Sequence, residues 1–202
     1  MKKLLICFGF SLMGYIGYSQ VSFGVKSGIN IATTKDLYAF PKNRIGWYAG
    51  GFATIPLFKK FFLQSELLYS TKGNGFNQIN PLGAPNGVYR FNYLNLPILF
   101  GYKIDRKTAI FFGPELGYLT EVREVYSRDE NFNNSNSFPP KFDAGLDVGL
   151  NYKILKKLGI EVRYNYGFNT LYEVDAVGNR HGDGINGANR VFQIGLNYIF
   201  QN

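Results

Sequence analysis

From Phe142 to Tyr152 the chain alternates without a break. Phe142, Ala144, Leu146, Val148, Leu150 and Tyr152 fall on one face, with Asp143, Gly145, Asp147, Gly149 and Asn151 on the other. A period of two over that length is a β-strand with one apolar and one polar face. The pattern returns from Leu158 to Phe168, where Leu158, Ile160, Val162, Tyr164, Tyr166 and Phe168 alternate with Gly159, Glu161, Arg163, Asn165 and Gly167. Strands of about ten residues suit a tilted strand crossing a bilayer. The alternation predicts a transmembrane β-barrel. Register is enforced by cost: a one-residue slip would turn Asp143 and Asp147 toward lipid, where charges near the midplane cost on the order of a few kcal/mol each.

The N-terminus agrees with export. Met1-Lys2-Lys3 precedes an apolar run, Leu4–Ile16, and then Gly17-Tyr18-Ser19-Gln20. This predicts a signal peptide over 1–19, cleaved before Gln20, and a barrel domain over 20–202. Cys7, the single cysteine, lies inside the apolar run, so the mature chain offers neither disulfides nor thiolate chemistry. Loss of Lys2 and Lys3 takes the formal net charge from +8 to +6. The basic residues are scattered among turns and loops and form no stripe, which argues against nucleic acid as a partner.

Eight strands are predicted, at 21–32, 45–57, 61–72, 88–104, 108–120, 141–152, 158–168 and 189–200. Short basic connections (Phe58-Lys59-Lys60, Asp105-Arg106-Lys107, Lys153–Lys157) alternate with long ones rich in Asn, Gly, Pro and Ser (33–44, 73–87, 121–140, 169–188). Outer-membrane barrels show this asymmetry, with short periplasmic turns and long outer loops. The expected fold is all-β: an eight-stranded antiparallel up-and-down transmembrane barrel with both termini on the periplasmic side.

A soluble lipocalin-like barrel shares the period but has the opposite polarity. Here the polar face is built largely from small residues, among them Gly24, Gly28, Gly50, Gly101, Gly113, Gly117, Gly145, Gly149 and Gly195. An eight-stranded barrel has an interior only wide enough for side chains to fill, so small residues belong inside it. The apolar face carries aromatics near strand ends, such as Trp47, Tyr69, Tyr118, Phe142, Tyr152, Tyr198 and Phe200, as membrane girdles require. Pro56, Pro97 and Pro114 interrupt the ladders, and bulges or kinks are expected there. Strand four is poorly phased over 88–93, and Leu68 and Leu99 fall inward without an evident reason.

The chain closes with Gln193-Ile194-Gly195-Leu196-Asn197-Tyr198-Ile199-Phe200. Gln193, Gly195, Tyr198 and Phe200 match the terminal signal by which outer-membrane barrels are recognised for assembly. The chain here resembles the small outer-membrane β-barrels often labelled "porin family", architecturally similar to the OmpA and OmpX barrels. The resemblance rests on Gly46-Trp47-Tyr48-Ala49-Gly50-Gly51-Phe52 with Ile55-Pro56-Leu57, and on Leu63 through Gly73. Tyr93-Leu94-Asn95-Leu96-Pro97 and Gly113-Pro114-Glu115-Leu116-Gly117-Tyr118 add to it. Members commonly carry proline where this chain has Ser65 and glutamate where it has Asn95. The resemblance implies residence in the outer membrane, with membrane lipids and, during biogenesis, the barrel-assembly machinery as partners. It does not imply an open pore.

By parity Lys26, Glu66, Lys72, Lys103, Glu115, Asp143, Asp147, Glu161 and Arg163 point into the lumen. Both signs are present, which predicts structural ion pairs plugging the barrel rather than acid–base catalysis by Glu66 and Glu115. His181, the only histidine, lies in the fourth long segment near Glu173, Asp175 and Asp183. A lipid A-modifying enzyme would need a nucleophile arrangement around it, and no serine is near in sequence. Asp175 and Asp183 do not have EF-hand spacing, and Arg180 intrudes between them, so no metal site is expected. No cofactor motif is present. Tyr126, Phe132, Phe138 and Phe76 are candidates for a recognition surface, or for packing of the loops on one another. The expectation is a monomeric, non-enzymatic barrel with a structural or surface-interaction role, an unidentified loop ligand and at most narrow solute passage. A small-solute porin is the transport alternative, opposed by inward Phe52, Phe62, Phe111 and Leu99.

Overall fold

A computed structural model describes residues 21–34, 41–76, 87–126, 142–168, 172–174, 180–185 and 188–200. The expected signal peptide and Cys7 lie outside the described residues. Eight strands form one closed antiparallel barrel: β1 (Ser22–Thr34), β2 (Pro41–Pro56), β3 (Phe61–Phe76), β4 (Gly87–Lys103), β5 (Thr108–Tyr126), β6 (Phe142–Lys153), β7 (Leu158–Gly167) and β10 (Asn189–Ile199). β8 (Tyr172–Val174) and β9 (Arg180–Ile185) make a separate two-stranded hairpin. Each barrel strand pairs with its neighbour in sequence, and β10 closes the ring by pairing with both β7 and β1.

The alternation becomes sidedness. On β6, Phe142, Leu146, Val148, Leu150 and Tyr152 are exposed on the outer surface, while Asp143 and Asp147 are buried in the interior. Outward aromatics gather in two belts. Phe61 packs against Phe58, Tyr102 and Phe100 near the short turns, with centroids 5.0–5.4 Å apart. Trp47–Tyr69, Tyr118–Phe142 and Tyr166–Phe168 lie toward the long connections at 5.3–5.7 Å. Aromatics at both interfaces of an apolar band are what a lipid-facing barrel surface carries.

Inside, glycines make room for rings. A Cβ at Gly24 would run into Phe52, one at Gly28 or Gly195 into Tyr48, one at Gly101 into Phe62 and one at Gly149 into Phe111. Leu99 has its reason too: it is fully buried in a cluster with Phe62 and Phe111.

The prolines correct an expectation. Register shifts occur between Asn43 and Tyr48 on β2 and between Asn92 and Tyr93 on β4, and not at Pro56, Pro97 or Pro114. Pro114 stays in register with Leu146 on β6, and the pairing of β4 with β5 resumes unshifted on either side of Ile98 and Leu99. A proline removes a donor, not a residue, so a ladder can lose a rung and keep its count. The extra residue at the second shift is Thr120 on β5, whose inward face passes there from Leu119 to Val122, and Thr120 Oγ1 donates to the Asn92 carbonyl at 2.9 Å. β4 itself keeps its parity, and its phase was hard to read because the inward residues Tyr89, Phe91 and Tyr93 are aromatic.

The short turns are tight. Lys59 has φ +53°, in the left-handed region, and Leu57 N–H donates to the Phe61 carbonyl at 2.9 Å. Asp105 Oδ1 accepts from the amides of Lys107 and Thr108 at 2.6 and 2.7 Å, an Asx-type turn.

Candidate functional site: the charged lumen

Tilt and parity bring eight ionisable side chains into the barrel interior, each nearly inaccessible to solvent: Lys26, Glu66, Lys72, Glu115, Asp143, Asp147, Glu161 and Arg163. Arg163 is the hub. Its Nη2 reaches Glu66 Oε1 at 2.8 Å and Glu161 Oε1 at 2.8 Å, and its Nη1 reaches Asp147 Oδ2 at 3.1 Å. β7 and β3 stand four places apart in the eight-strand ring, so the Arg163–Glu66 pair crosses the barrel from wall to opposite wall. Lys26 completes this layer, with Nζ 2.8 Å from Glu66 Oε1 and 2.7 Å from Glu161 Oε2. Gln64 Nε2 donates to Glu66 Oε1 at 2.6 Å.

A second layer lies toward the long connections. Lys72 Nζ pairs with Glu115 Oε1 at 2.8 Å, and Asn95 donates to the same oxygen at 2.9 Å. Asn165 Nδ2 donates to Asp147 Oδ1 at 2.7 Å and to Glu115 Oε1 at 3.2 Å, which joins the layers. Asn189 Nδ2 donates to Asp143 Oδ2 at 2.9 Å and to Tyr93 Oη at 3.2 Å. Asp143 makes no ion pair among the described residues. Rings flank the cations: Lys26 over Phe52, Lys72 over Tyr93 and Arg163 over Phe111, at 5.0–5.3 Å.

This arrangement can bind opposite walls and fill the lumen. Buried charges demand partners, and Arg163, with its planar fork, satisfies three carboxylates at once. Among the described residues no three His, Cys, Asp or Glu side chains are grouped so as to hold a metal ion.

Lys103 keeps its inward parity, lining the lower end of the barrel interior, but takes no part in the charged network. It is exposed at the end of β4 and forms no ion pair among the described residues. It lies at the last rung before the turn, below the charged layers. Sequence reasoning also missed the interior amides. Asn30 Nδ2 donates to Ser70 Oγ at 2.9 Å and to the Thr71 carbonyl at 3.0 Å, while its Oδ1 accepts from Gln193 at 2.9 Å. Their inward phase was the signal available.

Of the terminal motif, Gln193 is buried in that amide network and Gly195 faces Tyr48. Tyr198 and Phe200 are exposed on the outer face, their rings 6.0 Å apart. His181 is a backbone partner of Glu173 in the β8–β9 hairpin, a segment the sequence suggested only as loop. Three strand residues are too few for a period to register. The side chains of this hairpin, and Asp175, Phe132 and Phe138, lie outside the described residues, as do the side chains of Phe76 and Tyr126.

Comparison with solved structures finds the same architecture. Neisserial surface protein A (NspA) is 14% identical, with a TM-score of 0.59, over 89% of this chain and 98% of that one. The attachment invasion locus protein Ail of Yersinia pestis, solved with the heparin analogue sucrose octasulfate, is 12% identical, with a TM-score of 0.51, over 90% and 99%. No curated protein sequence matches. A family model described as "Outer membrane protein beta-barrel domain" matches residues 12–173. With the closed barrel, the lipid-type outer face and that match together, the chain belongs to the outer membrane protein β-barrel domain family and is an outer-membrane protein.

Proposed function

We propose that this protein is a non-enzymatic, non-conducting outer-membrane barrel, a rigid platform whose specific activity resides at the end carrying the long connections. The observation that supports this reading is the wall-to-wall ion network centred on Arg163. It closes the middle of the lumen with groups whose separation would leave charges unpaired in a buried interior. Tyr48, Phe52, Phe62 and Phe111 fill much of what remains. A lumen so occupied favours anchoring and surface interaction over passage.

At the long-connection end, Lys42 and Arg90 are exposed, and Arg44 Nη1 donates to the Lys72 carbonyl at 2.7 Å. A basic rim of this kind suits contact with anionic surface polymers. Planar-bilayer recording of the purified protein tests the central point. Baseline current with no steady unitary conductance is the expected result, and large stable channels would overturn the proposal.

A further inference from the structure

The plug does not fill the barrel to its lower end. Beneath the Lys26–Glu66–Arg163 layer, a cavity of about 300 Å3 opens toward the short turns. That is the lower end of the size range of small-molecule sites, ~300–1,000 Å3. Its walls are divided by chemistry. Phe52, Phe62 and Phe111 give it an apolar interior, while Lys103 and Lys153 stand at the rim, on the last rungs of β4 and β6. Asn197 also lines it. This residue is 6% exposed, and its Nδ2 is buried with no hydrogen-bond partner among the described residues.

Charge decides the class of occupant. Lys26 and Glu161 at the inner end neutralise each other at 2.7 Å, so the unpaired charge on the lining is that of the two rim lysines. The surrounding turns add Lys59, Lys60, Arg106, Lys107, Lys156 and Lys157 against one carboxylate, Asp105. Lys60 and Lys157 are spent on the carbonyls of Ile104 and Phe200. Lys103 and Lys153 have no ion-pair partner among the described residues.

We propose that this vestibule is a binding site for a small amphiphilic anion. An apolar, ring-sized body would lie against Phe52, Phe62 and Phe111, with a carboxylate held between Lys103 and Lys153 and Asn197 donating to a polar atom of the ligand. The site is separate from the long-connection surface and is independent of whether the lumen conducts.

The test uses the full barrel in zwitterionic nanodiscs and follows backbone amide shifts on titration with 3-phenylpropionate, 3-phenylpropan-1-ol and 3-phenylpropylammonium. The carboxylate should give saturable shifts confined to amides at the short-turn end. The alcohol should bind at least about tenfold more weakly and the ammonium not at all, since only the first places a negative charge at the rim. Lys103→Gln combined with Lys153→Gln should weaken the carboxylate to the level of the alcohol while leaving the alcohol unchanged. Both lysines sit at the barrel rim, outside the ion network, so folding should survive, and an unchanged far-end amide spectrum verifies it. Absence of saturable shifts, equal binding of all three probes, or an unaltered carboxylate affinity in the double variant would each overturn the assignment.

Discussion

At the scale of single residues, Arg163 and Asp143 make opposite predictions from the same interior. Arg163 pairs with Glu66, Asp147 and Glu161 at once, so Arg163→Ala leaves three carboxylates short of a partner. Breaking a buried pair costs roughly 3–5 kcal/mol, and urea unfolding from lipid vesicles should show a loss of that order. Asp143 has a hydrogen bond from Asn189 but no ion pair among the described residues. Asp143→Asn removes a buried carboxylate charge that makes no direct ion pair among the described residues, and stability should be unchanged or higher. A loss comparable to that of Arg163→Ala would show that Asp143 is held by charge. Outside the membrane, the amides of Lys107 and Thr108 hold the Asp105 carboxyl below its ordinary range. A folded-state value depressed in this way contributes stability above the unfolded value and loses it as pH falls through the folded one. Wild-type stability should therefore drop more than that of Asp105→Asn on acidification below the usual carboxylate range.

Elements were legible where the period was long. β6 and β7 run in near-perfect alternation, and their structural bounds fall within a residue of those the pattern suggests. Parity shows which side chains face inward, because it is a property of one strand. It cannot show which partner each one meets, since the Arg163–Glu66 contact joins residues 97 apart and depends on tilt and closure. Strand ends beyond the apolar band were less legible: β2 begins at Pro41, β3 reaches Phe76 and β5 runs to Tyr126, where polar residues carry no lipid-driven alternation. That extension changes where the third long connection can be cut. Tyr126 pairs with Gly87 and Arg123 with Arg90, so removing 123–138 would strip rungs from β4. Replacing 127–141 by a short Gly-containing turn should preserve folding, judged by thermal melting, and abolish whatever surface binding the intact protein shows. For β10 the outward rings Tyr198 and Phe200 are the accessible part of the terminal motif, as Gln193 and Gly195 are committed to the lumen. Tyr198→Ala with Phe200→Ala should lower outer-membrane abundance through impaired assembly. Undiminished abundance would remove the signal reading while leaving the fold intact.

For the whole molecule, closure is the property that separates a barrel from an open sheet. β1 and β10 pair in continuous register from Gly24–Ile199 to Thr34–Asn189, so no strand of the ring presents a free edge. Detergent cannot peel such a ladder one strand at a time, because losing any strand exposes two rows of backbone donors and acceptors together. The charged layers add ties across the ring, from β7 to β3 and from β1 to both. Unfolding should therefore be cooperative, and the native protein should stay compact in dodecyl sulfate until heated. On a gel, unboiled membrane-extracted protein should migrate apart from the boiled sample, with one folded band giving way to one unfolded band as the incubation temperature rises. Arg163→Ala should shift that conversion to lower temperature without adding an intermediate band, because it weakens ties across the lumen and leaves every backbone rung in place. Identical migration before and after boiling would count against a closed ring. A new intermediate in the variant would mean that the walls unfold separately, and that the cross-lumen ties rather than the ladder make the barrel one cooperative unit.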